Sequence, residues 1–225
     1  MVATPAYAGQ VHYRYMFSVL SLVTAGITNY IFIDPWAALV TMSRNDAITF
    51  FYQNHHIWGW THLLWLDADV AVDVQGVKRL LSHGVDAVAA RVPIKAFYRS
   101  GQKYSVRNVM GQEGKLLVVE AAACGCFLLS KKAALDLCEK AKREGRVYKV
   151  YNTEYPEYYR EAFDVFRVGV RGEEYDTEDW WMCHELQELG YKVYVDPAVV
   201  VEHYGTHGWV GEPLTLEEVK NADRT

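Results

Sequence analysis

The amino-acid sequence predicts an α/β fold in which helices pack on a mixed β-sheet. Short apolar runs alternate with segments whose apolar residues recur every three or four positions, as strands alternate with amphipathic helices. Residues 62–66 form a nearly continuous apolar run, which predicts a strand buried on both faces. Two further strand-like runs flank the turn residues 111–114, and this pattern predicts an antiparallel hairpin.

The predicted strands are short and end at polar or turn-forming residues. The first strand, 2–4, ends at Pro5, and the second, 30–33, is closed by Asp34-Pro35. Ligands of such sheets gather at the carboxyl ends of the strands, so the residues that follow each strand are the first candidates for function. The other strands are predicted at 62–66, 86–92, 105–110, 115–120, 124–129, 191–195 and 199–203.

The predicted helices are defined by apolar spacing and by residues that start or stop a helix. Apolar residues at 11, 15, 19 and 22 predict the first helix. The capping-box-like pair Ser43 and Asp46 predicts the start of a second helix that runs to about residue 54. Residues 148–171 show no clear pattern. The remaining helices are predicted at about 74–82, 131–144 and 178–189, each closed by a glycine.

The composition is that of a globular protein with one domain as the first expectation. The chain has 225 residues, of which 51% are hydrophobic and 23% charged, and these values exclude a disordered or fibrous protein. The formal net charge of -5 gives no overall basic field for bulk nucleic-acid binding. Aromatic residues make up 14%, a surplus that often serves sugars, bases or partners.

The four cysteines form neither a disulfide framework nor a Cys-x-x-Cys zinc pattern. Two of them, Cys124 and Cys126, lie in an apolar run, and a reduced protein of the cytoplasm is the simpler interpretation, the host cytoplasm if the source is a virus. No charged-then-apolar leader opens the chain and no run of about 18 apolar residues occurs, so we expect no stable membrane insertion.

The sharpest functional feature is the pair Asp67 and Asp69 at the end of strand 62–66. In extended chain, residues two apart point to the same side, so the two carboxylates should converge. Close negative charges repel unless a cation lies between them, and Mg²⁺ or Mn²⁺ takes carboxylate oxygens and bridges to phosphates. A solvated turn after the strand is the alternative, and the apolar run before the pair favours the metal site.

His203 closes the last predicted strand and is a candidate third metal ligand. Its neutral imidazole would suit Mn²⁺ better than Mg²⁺. A strand-end histidine taken alone is more often a hydrogen-bonded structural residue. The presence of the aspartate pair favours ligation.

Two predicted helix starts carry charged residues. Glu178 and Asp179 begin the last helix, where acids also complement the helix dipole. The functional interpretation makes Asp179 a general base, partly shielded by Trp180. Arg44 and Asn45 lie at the start of the second helix, where backbone N–H groups and an arginine suit phosphate, although a solvated helix face is the alternative.

Together these features resemble the GT-A fold of nucleotide-sugar-dependent glycosyltransferases, in the group related to family 2. The resemblance spans about residues 1–205, and compact viral and phage members of the family have a similar opening. Each motif is weak alone, and the order and spacing carry the resemblance. The segments are Thr4-Pro5-Ala6-Tyr7, Ser43-Arg44-Asn45, Leu64-Trp65-Leu66-Asp67-Ala68-Asp69, Cys124-Gly125-Cys126-Phe127-Leu128-Leu129, Thr177-Glu178-Asp179-Trp180-Trp181-Met182-Cys183, Val195-Asp196-Pro197 and His203-Tyr204-Gly205.

The resemblance implies a Rossmann-like, three-layer GT-A sandwich whose central sheet is mixed and mainly parallel. One glycosyltransferase domain would span 1–225, with a nucleotide-sugar-binding half at 1–110, an acceptor-binding half at 111–205 and a C-terminal tail at 206–225. The implied activity is that of a hexosyl- or pentosyltransferase. The implied cofactors are Mn²⁺ or Mg²⁺ and a nucleoside-diphosphate sugar, with a UDP-sugar as the first expectation.

The resemblance also implies roles for single residues. Asp67 would lie near the ribose and the metal, Asp69 and His203 on the metal, and Asp179, with Glu178 beside it, would act as base in an inverting reaction. Two departures from the family pattern are Thr177, where Ser or Gly is more usual, and a chain that starts directly on the first strand. The implied nucleotide contacts are Thr4, Pro5, Tyr7, Arg44, Asn45 and Asp67, and the implied acceptor contacts are Gly125, Trp180 and Tyr155.

The acceptor is expected to be a glycan or a modified nucleobase. Basic residues at 91, 95, 99, 103 and 107 lie in a stretch without acids and predict a positive strip for a diphosphate or an anionic acceptor. Lys95, just after a strand, is the predicted phosphate contact. Tyrosines crowd the segment 148–159 and suit stacking on sugars or bases. A solvated face and a lid or homodimer surface are the alternatives for these two stretches.

Three other functions stay open on the sequence. A phosphatase of the haloacid-dehalogenase type also carries Asp-x-Asp after a strand, but that motif lies near the N-terminus and precedes a Thr or Val where Ala71 stands here. A protein of the same fold could hold a nucleotide sugar or glycan without turnover. A retaining transferase could use the same metal motif without Asp179 as base.

Overall fold

The computed structural model describes residues 1–35, 38–99, 101–151 and 159–212, and in these ranges the chain forms five α-helices and fifteen strands. The helices are α1 (Tyr13–Thr24), α2 (Val40–Trp58), α3 (Val74–Ser82), α4 (Lys131–Arg143) and α5 (Glu178–Glu188). The strands are β1 (Val2–Pro5), β2 (Ile31–Asp34), β3 (His62–Leu66), β4 (Val70–Val72), β5 (Ala87–Ala90), β6 (Val106–Glu113), β7 (Leu116–Ala122), β8 (Cys126–Ser130), β9 (Val147–Tyr151), β10 (Tyr159–Phe163), β11 (Gly169–Arg171), β12 (Glu174–Asp176), β13 (Val193–Asp196), β14 (Val201–Tyr204) and β15 (Gly208–Val210).

Eight strands form the central sheet, in the order β2-β1-β3-β8-β5-β13-β7-β6. Six of these strands run in one direction, and β7 and β8 run in the other. The neighbours β2, β1 and β3 are parallel, so their carboxyl ends meet at one edge. A three-stranded sheet, β15-β14-β4, lies beyond that edge, and the pairs β9–β10 and β11–β12 are antiparallel ribbons.

Helices cover both faces of the central sheet and create two apolar layers. Leu63 and Trp65 of β3 belong to the layer shared with α2, α4 and α5, whereas Leu64 and Leu66 belong to the layer shared with α1 and α3. All four side chains are buried, because successive residues of a strand point to opposite faces and both faces are covered. The predicted α/β sandwich with a mixed sheet is confirmed.

The element predictions are correct for α1, α3, α4, α5 and the hairpin β6–β7, and several details differ. The sequence predicts none of the strands β9 to β12. The helix α2 begins at Val40, three residues before the predicted start, and no side chain caps it. The strand β4 is missing from the sequence prediction. Within the predicted tail 206–225, the strand β15 pairs with β14.

None of the helices in the described ranges combines the length and hydropathy needed to cross a bilayer. The four cysteines are all buried and all carry free thiols. Burial raises the pKa of the Cys126 thiol to about 12, and it also raises the pKa of Cys124 and Cys138. These cysteines are therefore core residues with protonated thiols at neutral pH.

Candidate functional site

A cavity of about 850 Å³ opens at the edge where the three parallel strands β2, β1 and β3 end. This is the position where open α/β sheets bind ligands, and the volume suits a nucleotide-sized molecule. Each strand contributes its last or following residues to the wall, and the first turn of α2 and the end of β14 complete it. The residues that line the cavity include Pro5, Tyr7, His12, Asp34, Ser43, Asp67, Asp69, Tyr204 and Gly205.

The aspartate pair reaches the cavity, but the carboxylates diverge instead of converging. Residues 67–70 form a turn, closed by a hydrogen bond from the Val70 amide to the Asp67 carbonyl at 2.9 Å. The same-side rule of an extended chain therefore does not apply to this pair. Asp67 points toward α2, and Asp69 points toward β14 and the segment after β5.

Asp69 is held between a lysine and a histidine from distant parts of the chain. The Lys95 ammonium donates to Asp69 Oδ2 at 2.5 Å and to the Tyr204 carbonyl at 3.1 Å. His203 Nε2 lies 3.4 Å from Asp69 Oδ1. Burial disfavours the charged carboxylate, but hydrogen bonds from His203 and Lys95 outweigh it and hold the pKa of Asp69 at about 2.

Two of the three predicted metal ligands come together, and the third does not. His203 Nδ1 lies 2.8 Å from the Pro93 carbonyl, which can only accept, so Nδ1 carries a proton and Nε2 is the nitrogen that faces Asp69. One carboxylate and one imidazole fit a Mn²⁺ or Mg²⁺ ion that takes further oxygens from a diphosphate. Across the described ranges, no three His, Cys, Asp or Glu side chains group as metal ligands.

Asp67 is engaged by Arg44, which lies in the protein interior rather than in the cavity. The Arg44 guanidinium is 4% exposed, donates to Asp67 Oδ1 at 3.0 Å and lies 3.4 Å from Glu178 Oε1. It also lies over the rings of Trp65 and Phe166. Arg44 therefore joins the end of β3 to the start of α5, and it faces the interior rather than the cavity, where the sequence predicts it.

Charge and burial oppose each other at this buried group. Burial disfavours the charged guanidinium, but Asp67 and the other nearby carboxylates outweigh it and raise the pKa of Arg44. Burial raises the pKa of Glu178, and Asp179 and Asp67 raise it further, while Arg44 partly offsets the shift. The Arg44 charge is thus the main group that opposes the raised pKa of Glu178.

Asp179 is oriented by its own helix start. Its Oδ1 accepts hydrogen bonds from the Thr177 hydroxyl at 2.5 Å and from the Trp180 amide at 2.9 Å. Both groups donate to Oδ1 of Asp179, so Oδ2 of that carboxylate takes no part in these two hydrogen bonds. The carboxylate is partly exposed.

Two predicted nucleotide contacts lie in the core instead. The Thr4 hydroxyl is buried and shares a 2.7 Å hydrogen bond with the Tyr15 hydroxyl. Of that opening segment, Pro5 and Tyr7 line the cavity. Asn45 is 3% exposed, and its side chain binds the segment 164–166.

Asn45→Ala is expected to lower the free energy of unfolding by about 2–4 kcal/mol. The Asn45 side-chain oxygen accepts from the amides of Val165 at 3.0 Å and Phe166 at 2.7 Å, and the substitution leaves both buried donors unpaired. Urea denaturation monitored by circular dichroism measures the change. Asn54→Ala is the matched control, because that amide bonds only the Phe50 carbonyl of its own helix. Equal losses in the two variants would contradict the anchoring role.

Ser43 and His12 are cavity residues that the sequence argument did not select. Ser43 is 3% exposed, lines the cavity, and has a hydroxyl without a hydrogen-bond partner among the described residues. His12 caps α1 through Nδ1, which accepts from the Arg14 amide, and its ring stacks on Tyr204 at 4.1 Å. Ser43 was within the recognised motif, whereas no local pattern distinguishes His12.

The predicted acceptor residues have different surroundings. Gly125 is buried, and a Cβ there would lie 3.1 Å from Val92 and 3.4 Å from Asp67 Oδ2, so glycine lets the chain pass close to Asp67. Trp180 is half-buried beneath the Arg107 guanidinium, 4.7 Å from its ring centre. Tyr155 lies outside the described residues.

The predicted positive strip is not a continuous surface. Arg91 is 7% exposed and lies 4.0 Å over the Tyr104 ring. Arg107 forms ion pairs with Glu120, Glu174 and Asp176. The regular spacing of the basic residues does not place them on one face, because the segment leaves β5, forms a loop and returns as β6. Its side chains therefore face different elements.

The comparisons bear on the fold. No family model matches the chain, and no curated protein matches it. The solved structure of A197 from STIV covers 91% of this chain and 85% of that protein, with a TM-score of 0.52 and 16% identity. A glycosyltransferase involved in the glycosylation of the major capsid of PBCV-1 matches over 60% of this chain and 62% of its own, with a TM-score of 0.35 and 11% identity. The likeness to A197 is one of fold alone, and it agrees with the predicted α/β fold with a mixed sheet.

Proposed function

We propose that the protein is a metal-dependent glycosyltransferase that moves a sugar from a nucleoside diphosphate to an acceptor hydroxyl. The observation that carries the proposal is the cavity at the ends of β2, β1 and β3, with Asp69, Lys95 and His203 meeting at one side. A carboxylate flanked by a cation and an imidazole is suited to a diphosphate and its counter-ion. The order of sequence motifs that resembles the GT-A glycosyltransferases supports the same activity class.

The residues proposed to hold the donor divide the cavity into two parts. Asp69 and His203 would bind the ion, which when bound neutralises the charge that develops on the leaving diphosphate. Lys95, already within hydrogen-bond reach of Asp69, is the proposed phosphate contact. Tyr7 and the Ser43 hydroxyl line the remaining wall and are the proposed contacts of the nucleoside.

In the proposed inverting reaction, Asp179 takes the proton from the acceptor hydroxyl. The acceptor oxygen forms a bond to the anomeric carbon, the bond from that carbon to the phosphate oxygen breaks, and the nucleoside diphosphate leaves with the electron pair. Asp179 suits this role because the hydrogen bonds from Thr177 and Trp180 fix its orientation. Glu178 is proposed as a positioning residue that acts through Arg44 on Asp67.

The experiment that tests the proposal is a screen of nucleotide sugars with Mn²⁺, read by release of nucleoside diphosphate. Release with one donor class, and its loss when the ion is chelated, is the expected result. Metal-dependent nucleotide binding without release would instead indicate a protein that holds the nucleotide sugar without turnover. The anomeric configuration of the product distinguishes an inverting from a retaining enzyme.

Asp179→Asn is expected to lower kcat for transfer by about 10²- to 10⁴-fold, because the amide cannot take the acceptor proton. The affinity for the nucleotide with Mn²⁺ should stay unchanged, and calorimetry measures it. Glu188→Gln, at the other end of α5, is the matched control and should keep the full rate. An Asp179→Asn enzyme with wild-type kcat would show that another group takes the proton.

A further inference from the structure

The segment between β5 and β6 carries side chains beyond Lys95 that the proposed reaction does not use. It leaves the sheet as a loop whose base is held by backbone pairing, with the Ile94 amide donating to the Lys103 carbonyl at 2.8 Å. The Gln102 side chain also donates to both of these residues' carbonyls, at 2.9 and 2.7 Å. The loop is therefore closed at its base, and its outer residues lie beside the end of β14.

Phe97, in this loop, is 81% exposed, the highest value among the large apolar side chains of the described ranges. Its ring centre lies 5.3 Å from that of His207 and 5.7 Å from that of Trp209, and the latter two rings are 5.0 Å apart. Trp209 is only 9% exposed and supports the other two rings. One side of Phe97 is thus held in place, and most of the ring faces solvent.

This aromatic trio adjoins the cavity through Gly205. Gly205 lines the cavity, and a Cβ there would lie 3.3 Å from Lys95 Cδ and 3.6 Å from Trp209 Cζ3. The same Lys95 side chain ends on Asp69. Phe97 therefore lies near the proposed site of sugar transfer, and the side chains of Lys95 and Trp209 lie between them.

We propose that Phe97 is an acceptor subsite on which the apolar C–H face of a carbohydrate ring packs during transfer. The proposal rests on the proposed function and names its acceptor class as a neutral glycan. An aromatic face without hydrogen-bonding atoms fits a C–H surface, and covering it removes apolar area from water. His207 lies at the border of the Phe97 ring and can donate a hydrogen bond to a ring hydroxyl.

The charge distribution favours a glycan over a nucleic acid. A nucleic-acid track needs several free cations aligned along the phosphate backbone. Arg91 lies against Tyr104, Lys95 is paired with Asp69, and Arg107 is surrounded by acids. Lys103 lies over the Tyr98 ring, so four of the five basic residues in this segment are engaged by different groups and do not form an aligned track.

The test uses the wild-type protein, Phe97→Ala, Phe97→Tyr and the control Phe17→Ala, which removes another exposed ring, on α1. Neutral trisaccharides of glucose, galactose, mannose and N-acetylglucosamine, and a single-stranded oligonucleotide with hydroxymethylated bases, are titrated and followed by NMR. We expect at least one trisaccharide to bind, roughly five- to tenfold more weakly to Phe97→Ala, and with nearly wild-type affinity to Phe97→Tyr and Phe17→Ala.

The subsite would be overturned by any of three results. These are that no trisaccharide binds, that Phe97→Ala binds a trisaccharide as tightly as the wild type does, or that only the oligonucleotide binds. Affinity for UDP with Mn²⁺ is measured on the same samples and should be equal in all four proteins. Release of nucleoside diphosphate is assayed separately. If the protein releases nucleoside diphosphate but Phe97→Ala does not weaken trisaccharide binding, only the subsite is contradicted. If Phe97→Ala weakens trisaccharide binding but the wild-type protein releases no nucleoside diphosphate, the proposed transferase activity is contradicted.

Discussion

Asp69→Asn is expected to lower the release of nucleoside diphosphate by about 10²- to 10³-fold in the presence of Mn²⁺. The substitution keeps the shape of the side chain and removes the negative charge that faces Lys95 and His203. Without that charge the residue would hold the ion more weakly, and the Lys95 ammonium loses its charged partner. The initial rate with the donor found in the screen, at saturating concentration, measures the effect.

The control for this variant is Asp136→Asn, a carboxylate on α4 whose partners are Lys132 and Tyr191. It should retain the full rate. The side chain of Asp69 is 39% exposed, so its amide variant should fold normally, and the urea midpoint verifies this. Full turnover by a folded Asp69→Asn protein would remove Asp69 from the reacting site.

Arg44→Met is expected to lower the free energy of unfolding by about 3–5 kcal/mol. The methionine fills the space between Trp65 and Phe166 but leaves Asp67 and Glu178 without their shared cation. An uncompensated, partly buried carboxylate costs more than the loss of an exposed ion pair. Urea denaturation of the variant and the wild type at pH 8 measures the difference.

The loss in Arg44→Met should be smaller at pH 5 than at pH 8. Burial raises the pKa of Glu178, and Arg44 is the group that opposes this shift, so the pKa rises further in the variant. A carboxyl group with a raised folded-state pKa contributes stability below its unfolded-state pKa and loses it as the pH rises through the folded value. Protonation at low pH therefore relieves the unpaired charge.

The matched control is Arg160→Met, which breaks an ion pair with Asp46 from a side chain that is 46% exposed. Its loss should stay below about 1 kcal/mol at both pH values. A deficit in Arg44→Met that is independent of pH would mean that the guanidinium acts by filling space rather than by charge. A deficit as small as that of Arg160→Met would exclude both roles.

Much of the fold follows from local pattern. The alternation of apolar runs and helical spacing predicts β3, α3, α4 and α5 within a few residues. Burial of one or two faces of an element makes apolar residues recur at a regular spacing in the sequence. The strand β4 is too short to show a regular spacing of apolar residues. It is three residues long, and its partner β14 lies far along the chain, so pairing rather than propensity makes it a strand.

The sequence predicts where the candidate site lies, but it does not predict the directions of the side chains in it. Asp67 and Asp69 do end a strand at the cavity edge, yet a turn separates their carboxylates. In the segment that begins α2, Ser43 lines the cavity, whereas Arg44 and Asn45 point into the core. Three consecutive helical residues face three directions, and only the packing of α2 determines which one meets the ligand.

The amino-acid sequence by itself determined the order of the five helices and the eight strands of the central sheet, and the residues at which those strands end. The tertiary structure alone decided which partner each charged side chain meets. Asp67 pairs with an arginine 23 positions away and Asp69 with a lysine 26 positions away, and both cations belong to other elements. Periodicity arises from contacts of each segment with the core, whereas the direction of a carboxylate depends on charges that only the folded chain brings near it.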